Sequence, residues 1–291
     1  MSILCDFHMH SSFSTDSDAP LEEMVRATIE RGLTRICVTE HMDADYPVAP
    51  GDFEADPAAV WQEVTRLRGL YGDQIEIGFG MELGMQPHLR ERFGALAAAW
   101  PFDFLIASQH LTGPQDPYYP EVWEGRTTED VIGQYLHEMY DNLAHHIPEW
   151  DTLGHLDYII RYIPGRAAGP GSSTPGSNAP KASVTHTAAP YDIRAAFPKE
   201  TDEILKLVIE TGKCLEVNTA GFKYGLGQPH PSPALLRRYR ALGGTRITIG
   251  SDAHAPQHVA CGYEEAAKLL KELGFKSCFV FRSREPEEIG I

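Results

Sequence analysis

Short apolar runs alternate with longer amphipathic stretches along most of the chain. Residues 35–39 (RICVT) and 246–250 (RITIG) have the length and β-branched content of buried strands. Residues 20–31 carry apolar side chains at helical spacing and are followed by glycine, which is typical of a helix that ends there. The pattern predicts strands at 3–7, 35–39, 75–83, 104–107, 151–154, 213–218, 246–250 and 277–281. It predicts helices at 20–31, 56–71, 87–100, 127–146, 195–211, 232–242 and 263–273.

Alternation of strands and helices favours parallel strands joined by helical crossovers. At 291 residues, a closed or nearly closed α/β barrel is the leading architecture, and a doubly wound open sheet is the alternative. The glycine fingerprint of dinucleotide-binding folds follows none of the predicted strands. Residues 164–190 are rich in Gly, Pro and Ser, but the same alternation continues on both sides. We therefore predict one domain over residues 1–291 with a loop insertion at about 164–190.

Composition narrows the possible functions. The net charge is −16, from 25 Lys and Arg against 41 Asp and Glu, which argues against a general nucleic-acid binder. The five cysteines are odd in number and have no metal-finger spacing. Neither an N-terminal leader pattern nor an apolar run approaching the ~20 residues of a membrane span is present. We expect a cytoplasmic protein without a membrane partner, and the sequence leaves its oligomeric state open.

The first predicted strand runs into the segment DFHMH, residues 6–10. Side chains on a strand alternate between faces, so His8 and His10 should point the same way, about 7 Å apart. The segment Asp252-Ala253-His254 repeats this one-residue gap after the seventh strand. Imidazoles that converge in this way suit a divalent transition metal.

Further histidines and carboxylates stand where other predicted strands end. In a β/α barrel these strand ends meet at the functional face. Nine ligands are too many for one ion, whereas three ions that share Glu82 and Asp252 as bridges would fit. The candidate metal ligands are His8, His10, Asp16, His41, Glu82, His110, His155, Asp252 and His254.

The order of these motifs (HxH, SxD, TEH, MEL, SQH, GHLD and SDAH) resembles the polymerase-and-histidinol-phosphatase (PHP) superfamily over nearly the whole chain. The runs SQHL, GHLDYIIRY and EVNTAGFKYG are most similar to its histidinol-phosphatase branch. The resemblance implies a distorted (β/α)7 barrel and a trinuclear centre of Zn, Fe or Mn. Carried over by position, the ligands of the three ions are His8, His10, Glu82 and Asp252; Glu82, His110 and His155; and Asp16, His41 and His254. Two departures are Asp16, where some relatives use His, and the length of the segment after Pro164.

The reaction implied by the resemblance is hydrolysis of L-histidinol phosphate to L-histidinol and phosphate, a step of histidine biosynthesis, through attack of a metal-bound hydroxide. Arg161 is the leading candidate for a phosphate clamp, and Arg194 and Lys223 are weaker ones. His230 is a candidate to protonate the leaving alkoxide or to contact phosphate, and Asp6 to orient a ligand imidazole. The loop at 116–121, with Tyr118 and Glu121, is the candidate contact for the imidazole and amine of the substrate.

Three alternatives remain open at this point. The same scaffold could act on another small phosphate ester or on a nucleotide. A metal-dependent amidohydrolase also begins with HxH, but it usually has a metal-bridging lysine at a middle strand, and no lysine stands there. A non-enzymatic module should have lost ligands, and here the set is complete. The other histidines are expected on helix surfaces or loops: His88, His137, His145, His146, His186 and His258.

Overall fold

The computed structural model describes residues 3–165 and 191–291. Its main sheet has seven parallel strands, each paired with the next in chain order. The strands are β1 (Cys5–Asp6), β2 (Arg35–Met42), β3 (Glu76–Gly84), β4 (Phe104–Ser108), β5 (Thr152–Leu153), β6 (Cys214–Asn218) and β7 (Ile247–Gly250). Seven of the predicted strands are therefore confirmed in position, and β2 continues to Met42 instead of ending at residue 39.

Backbone hydrogen bonds join the first and last strands of this sheet. The N–H of Phe7 donates to the carbonyl of Ile249 at 2.9 Å, and the N–H of Asp252 donates to the carbonyl of His8 at 2.8 Å. Because the two edges meet, the sheet forms a nearly closed barrel. This confirms the predicted distorted (β/α)7 barrel and excludes the open doubly wound sheet.

Helices fill the connections and pack around the outside of the barrel. Their bounds are α1 (Leu21–Glu30), α2 (Pro57–Tyr71), α3 (Arg90–Ala99), α4 (Thr128–Asp141), α5 (Ile193–Ala196), α6 (Pro198–Glu210), α7 (Ala220–Lys223), α8 (Pro233–Ala241) and α9 (Tyr263–Glu272). The helix predicted at 195–211 is two helices, because Phe197 precedes a proline and leaves the helical region at φ −127° and ψ 63°. The predicted helix at 127–146 begins with a capping box between Thr127 and Asp130. Its last residues, Asn142–His146, form a π-helical turn.

A hairpin of β8 (Ser277–Arg282) and β9 (Glu285–Gly290) lies outside the main sheet. The sequence predicted only its first strand, because EPEEIG is acidic and contains proline. Ser283 and Arg284 have φ values of 49° and 69°, which suit a two-residue hairpin turn. The N–H of Ser283 donates to Asp103 at 2.8 Å, so the hairpin covers the amino-terminal end of the barrel, opposite the strand ends that carry the candidate ligands.

A loop insertion was predicted at 164–190. Its residues from 166 onward, including His186, lie outside the described residues. Within the two described ranges, 3–165 and 191–291, no helix combines the length and the apolar character needed to cross a membrane.

Candidate metal centre and substrate pocket

The carboxyl ends of the barrel strands surround a cavity of about 560 Å³. Seven of the nine predicted ligands line it, and the other two, His8 and His10, are fully buried beneath it. The seven that line the cavity are Asp16, His41, Glu82, His110, His155, Asp252 and His254. The structure therefore brings together all nine side chains that the sequence singled out.

Glu82, on β3, lies at the centre of this group and is fully buried. Its Oε1 is 2.9 Å from Nε2 of His155 and 3.2 Å from Nε2 of His110. Its Oε2 is 3.1 Å from Nδ1 of His41 and 3.3 and 3.5 Å from Nε2 of His8 and His10. The two oxygens of this one carboxylate therefore each lie next to a different set of imidazoles. A ligand that bridges two metal ions requires this arrangement.

His8 and His10 converge more closely than strand spacing alone predicts. Their rings are 5.1 Å apart, and their Nε2 atoms are only 3.1 Å apart. Two imidazole lone pairs that face each other repel unless a proton or a metal ion lies between them. Gly250, on β7, permits this position, because a β-carbon there would lie 2.2 Å from Cβ of His8.

The described residues contain four groups of three possible metal ligands, and within each group the donor atoms lie within 4.8 Å of one another. The group of Glu82, His110 and His155 equals one predicted ligand set, and His8, His10 and Glu82 form most of another. Asp252, the fourth member of that set, has its Oδ1 3.6 Å from Nε2 of His10. How the nine ligands divide among ions stays a prediction.

The third predicted set is looser, and a new residue enters beside it. Oδ2 of Asp16 lies 3.0 Å from Nε2 of His254 and 3.6 Å from Nε2 of His41. The compact groups instead join His41 and His254 to His10, and His41 and His110 to Asp43. Sequence reasoning missed Asp43, although it lies two residues after His41, directly after the end of β2, where strand alternation places it on the same side as His41.

The electrostatics of the group fit bound cations. Burial disfavours a charged imidazole at His110, but the carboxylates of Asp43 and Glu82 outweigh it and raise the pKa to about 10. Burial likewise opposes the charged form of Glu82, and the surrounding imidazoles still hold its pKa well below the usual range. Oε2 of Glu82 and Nδ1 of His155 are buried without a hydrogen-bond partner among the described residues. A metal ion would replace the protons that this buried cluster otherwise holds, so the donor set fits divalent metals.

Glu216, on β6, is a supporting carboxylate that the sequence reasoning missed. Its Oε1 is 2.5 Å from Nδ1 of His8, and its Oε2 accepts the backbone N–H of His155 at 2.8 Å. An acidic residue inside a buried strand was the available signal. Asp6 was expected to orient an imidazole, but it accepts the N–H of His8 and both the N–H and hydroxyl of Ser251. Asp6 therefore fixes the backbone between β1 and β7, while Glu216 orients the His8 ring.

Basic side chains flank the acidic edge of the cavity. Arg161 is 4% exposed, lines the cavity and lies 3.4 Å from Oδ2 of Asp252. Lys223 also lines the cavity and donates to the carbonyl of Asp252 at 3.1 Å. Arg194 does not line the cavity and pairs instead with Asp202 at 3.3 Å. The structure thus brings two of the three predicted basic residues to the site.

Tyrosines form a wall of the cavity beside these basic side chains. Tyr118 lines the cavity, as the sequence suggested, whereas Glu121 is exposed and does not. Asp116, from the same loop, lines the cavity and accepts a hydrogen bond from Tyr46 at 2.6 Å. Burial raises the pKa of Asp116. The other tyrosines that line the cavity are Tyr46, Tyr119, Tyr158, Tyr162 and Tyr224.

Two histidines differ from their predicted places. His230 is fully buried and does not line the cavity; it lies behind Arg161, whose Nε is 3.0 Å from its Nε2. His258, expected away from the site, lines the cavity next to Lys223. Three others that were expected away from it, His88, His137 and His145, are exposed.

Comparison with known proteins gives the family. The model of the PHP domain matches residues 6–220. The chain belongs to the PHP domain family. This confirms the resemblance drawn from the sequence motifs. Among the relatives of this chain, the histidinol-phosphatase of Lactococcus lactis is 29% identical over 281 residues, covering 95% of this chain and 93% of that one. A "Probable histidinol-phosphatase" of Clostridium acetobutylicum is 28% identical, covering 94% and 95% of the two chains.

Solved structures agree with this family membership. The histidinol phosphate phosphatase of Lactococcus lactis, complexed with zinc, L-histidinol and phosphate, has a TM-score of 0.81 and 29% identity. The alignment covers 97% of this chain and 98% of that one. A structure from Listeria monocytogenes has a TM-score of 0.70 at 17% identity and supports the fold alone.

Proposed function

We propose that this PHP-family protein is a phosphomonoesterase that hydrolyses L-histidinol phosphate to L-histidinol and phosphate. The observation that carries the proposal is the convergence of six imidazoles and three carboxylates on one cavity that also holds Arg161. The relative from Lactococcus lactis supports the choice of substrate, because its structure is a complex with zinc, L-histidinol and phosphate.

The proposed cofactors are three divalent transition-metal ions, with Zn, Fe or Mn as candidates. The nine-residue ring supplies both imidazole and carboxylate donors, which suit these metals. Bound ions of this kind act as Lewis acids on phosphoryl oxygens and lower the pKa of bound water to about 7. Glu82 would be shared between two of the ions, and Glu216 would hold the His8 ring in the orientation that binding needs.

Arg161 and Lys223 are proposed to hold the phosphoryl group. A guanidinium presents parallel N–H donors that match two phosphoryl oxygens, and an ammonium adds a point charge. Both groups lie next to Asp252, so the phosphate they hold would be close to the ligand ring. Their positive charge also offsets negative charge on the transferred group as the ester bond breaks.

The tyrosine wall is proposed to hold the rest of the substrate. Tyr118 and its neighbours offer ring faces against which the substrate imidazole can stack. We assign the contact with the substrate ammonium to Asp116 instead of Glu121, because Asp116 faces the cavity and Glu121 does not. A buried carboxylate gains more from an ammonium partner than an exposed one.

A covalent thiol mechanism does not fit the described cysteines. Cys5, Cys37, Cys214 and Cys278 are buried, and none of the five lines the cavity. Burial raises the pKa of Cys214 to about 12, which keeps that thiol protonated and unreactive.

A substrate panel on metal-loaded protein tests the proposal. We expect kcat/KM for L-histidinol phosphate to exceed that for p-nitrophenyl phosphate and for nucleotides by at least about 100-fold, because only the first substrate has an ammonium to pair with Asp116. Asp116→Asn should remove most of that preference and leave the rate on p-nitrophenyl phosphate unchanged. Similar rates on all esters would contradict the substrate and leave a general phosphoesterase.

A further inference from the structure

Three buried residues form a chain that leads from the cavity wall into the protein. Nε of Arg161 donates to Nε2 of His230 at 3.0 Å, and Nδ1 of His230 is 2.6 Å from Oδ1 of Asp157. Asp157 and His230 are fully buried, and Arg161 is 4% exposed. The other carboxylate oxygen of Asp157 accepts the backbone N–H of Ser232 at 2.8 Å.

The donor at Arg161 decides where the proton of His230 lies. Nε of a guanidinium always carries hydrogen, so Nε2 of His230 must accept with its lone pair. The proton of the neutral ring is then on Nδ1, where it is donated to Asp157. Burial lowers the pKa of His230, and the charge of Arg161 lowers it further, although Asp157 acts in the opposite direction.

This arrangement does not suit the proton-donor role suggested for His230 by the sequence. Both ring nitrogens are engaged, and neither faces the cavity. The proton on Nδ1 points away from the site, toward Asp157. His230 acts through Arg161 and has no direct path to the leaving group.

Arg161 is held on further sides. Its guanidinium lies over the rings of Tyr158 and Tyr224, at 4.9 and 4.3 Å from the ring centroids. Nη2 is 3.4 Å from Oδ2 of Asp252. A guanidinium has five N–H donors, and these contacts engage one on Nε and one on Nη2. No hydrogen bond to a described residue engages the other three, and the Arg161 side chain lines the cavity.

We propose that Asp157 and His230 are positioning residues that fix the rotation of the Arg161 guanidinium, so that its free N–H groups face a phosphate. The inference rests on the proposed function for the identity of the ligand. It assigns to His230 a single required tautomer, in which Nδ1 donates its proton to Asp157 and Nε2 accepts the N–H of Arg161. A flexible arginine side chain loses less rotamer freedom on binding when it is already held in place.

Two substitutions at His230 separate this role from simple packing. Gln can place its amide oxygen near the position of Nε2, and so keeps an acceptor for Arg161. Asn places its amide near Nδ1, and so keeps the contact with Asp157 but loses Arg161. We expect His230→Asn to raise the dissociation constant for inorganic phosphate, and KM for the ester, about tenfold. His230→Gln should change both by less than about threefold, and His137→Gln, an exposed control, should change neither.

Asp157→Asn tests the same chain from its other end. The N–H of Ser232 requires an acceptor, so the amide oxygen of the introduced side chain would face Ser232 and its NH₂ would face Nδ1 of His230. His230 would then carry its proton on Nε2, directed at the N–H of Arg161. We expect this isosteric change to weaken phosphate binding about as much as His230→Asn does.

Ring ¹⁵N shifts of histidine-labelled protein after chelation provide a measurement that does not depend on activity. The His230 signals are identified by their loss in His230→Gln. We expect Nδ1 of His230 to be protonated in the wild-type protein and Nε2 in Asp157→Asn. A wild-type ring protonated on Nε2 would overturn the inference even if Asp157→Asn failed to fold. Equal weakening of phosphate binding by His230→Gln and His230→Asn, or weakening by neither, would also overturn it.

Failure of the proposed function gives a different result. If the wild-type protein binds phosphate but does not hydrolyse L-histidinol phosphate, the proposed substrate is wrong. The phosphate-binding and ¹⁵N measurements still decide whether Asp157 and His230 position Arg161.

Discussion

Glu82→Gln keeps the shape of the central side chain and removes one negative charge from the ligand ring. Glu82 belongs to two of the compact donor groups, one with His8 and His10 and the other with His110 and His155. Glutamine has one side-chain oxygen and glutamate has two. At least one of these groups must therefore lose the oxygen that residue 82 supplies to it. The nitrogen of the amide would also face an imidazole that is positioned to meet a carboxylate.

The size of the effect follows from this sharing. Loss of a supporting partner outside the ligand shell costs roughly 10- to 100-fold in metal affinity or activity, and we take that as a minimum for each group. Because glutamine keeps one oxygen, the loss at one group sets the expected effect, which is at least about 10- to 100-fold in activity. Buried Ser108, which donates to Oε1 of Glu82 at 2.6 Å, keeps an acceptor in the variant. The variant should therefore fold.

The assay is metal content by elemental analysis and turnover of L-histidinol phosphate on the same preparation. Glu124→Gln, at an exposed position, is the matched control for loss of one negative charge and should behave as the wild-type protein. Wild-type metal content together with wild-type turnover in Glu82→Gln would refute a shared ligand at this position.

Three further predictions follow from other parts of the structure. Phe104→Ala, in the fully buried barrel core, should lower the free energy of unfolding in urea by about 3–5 kcal/mol, and the 57% exposed Leu70→Ala should not. In chelated protein the pKa of His110 is raised from 6.5 to about 10. The stabilisation by protonated His110 is therefore complete below pH 6.5 and is lost as pH rises to about 10. Calorimetry should show Tm falling over that range, and a flat profile would contradict this prediction. Arg161→Lys keeps the charge but loses the planar fork, and should raise KM for the ester by about tenfold; an unchanged KM would remove Arg161 from the phosphate site.

The candidate ligands could be predicted because their placement is a local property of the chain. Each strand is a short apolar run, and the first polar residues after it lie at the carboxyl end of the barrel. His8 and His10, and likewise Asp252 and His254, share a face because alternate residues on a strand do so. Knowledge of the three-dimensional contacts was not needed for these positions.

The supporting residues could not be predicted in the same way, because their roles depend on contacts between distant parts of the chain. Glu216 on β6 meets His8, which follows β1, although the two residues are 208 positions apart in the chain. His230 looked like a loop histidine with a free ring, and only its burial between Asp157 and Arg161 shows that both nitrogens are engaged.

Arg194 and the last strand illustrate the limits of local pattern in two other ways. Family resemblance placed Arg194 at the phosphate, but the break between α5 and α6 leaves it beside Asp202. Residues 285–290 are acidic and have little intrinsic strand character, and they form β9 because the turn at Ser283 and Arg284 returns the chain along β8.

A titration of chelated protein with metal ions tests the central claim most directly, with bound ions and turnover of L-histidinol phosphate measured on the same samples. We expect chelated protein to be inactive and turnover to return as ions bind, up to three per chain. Full turnover after complete chelation, or restored turnover with a single bound ion, would contradict this expectation.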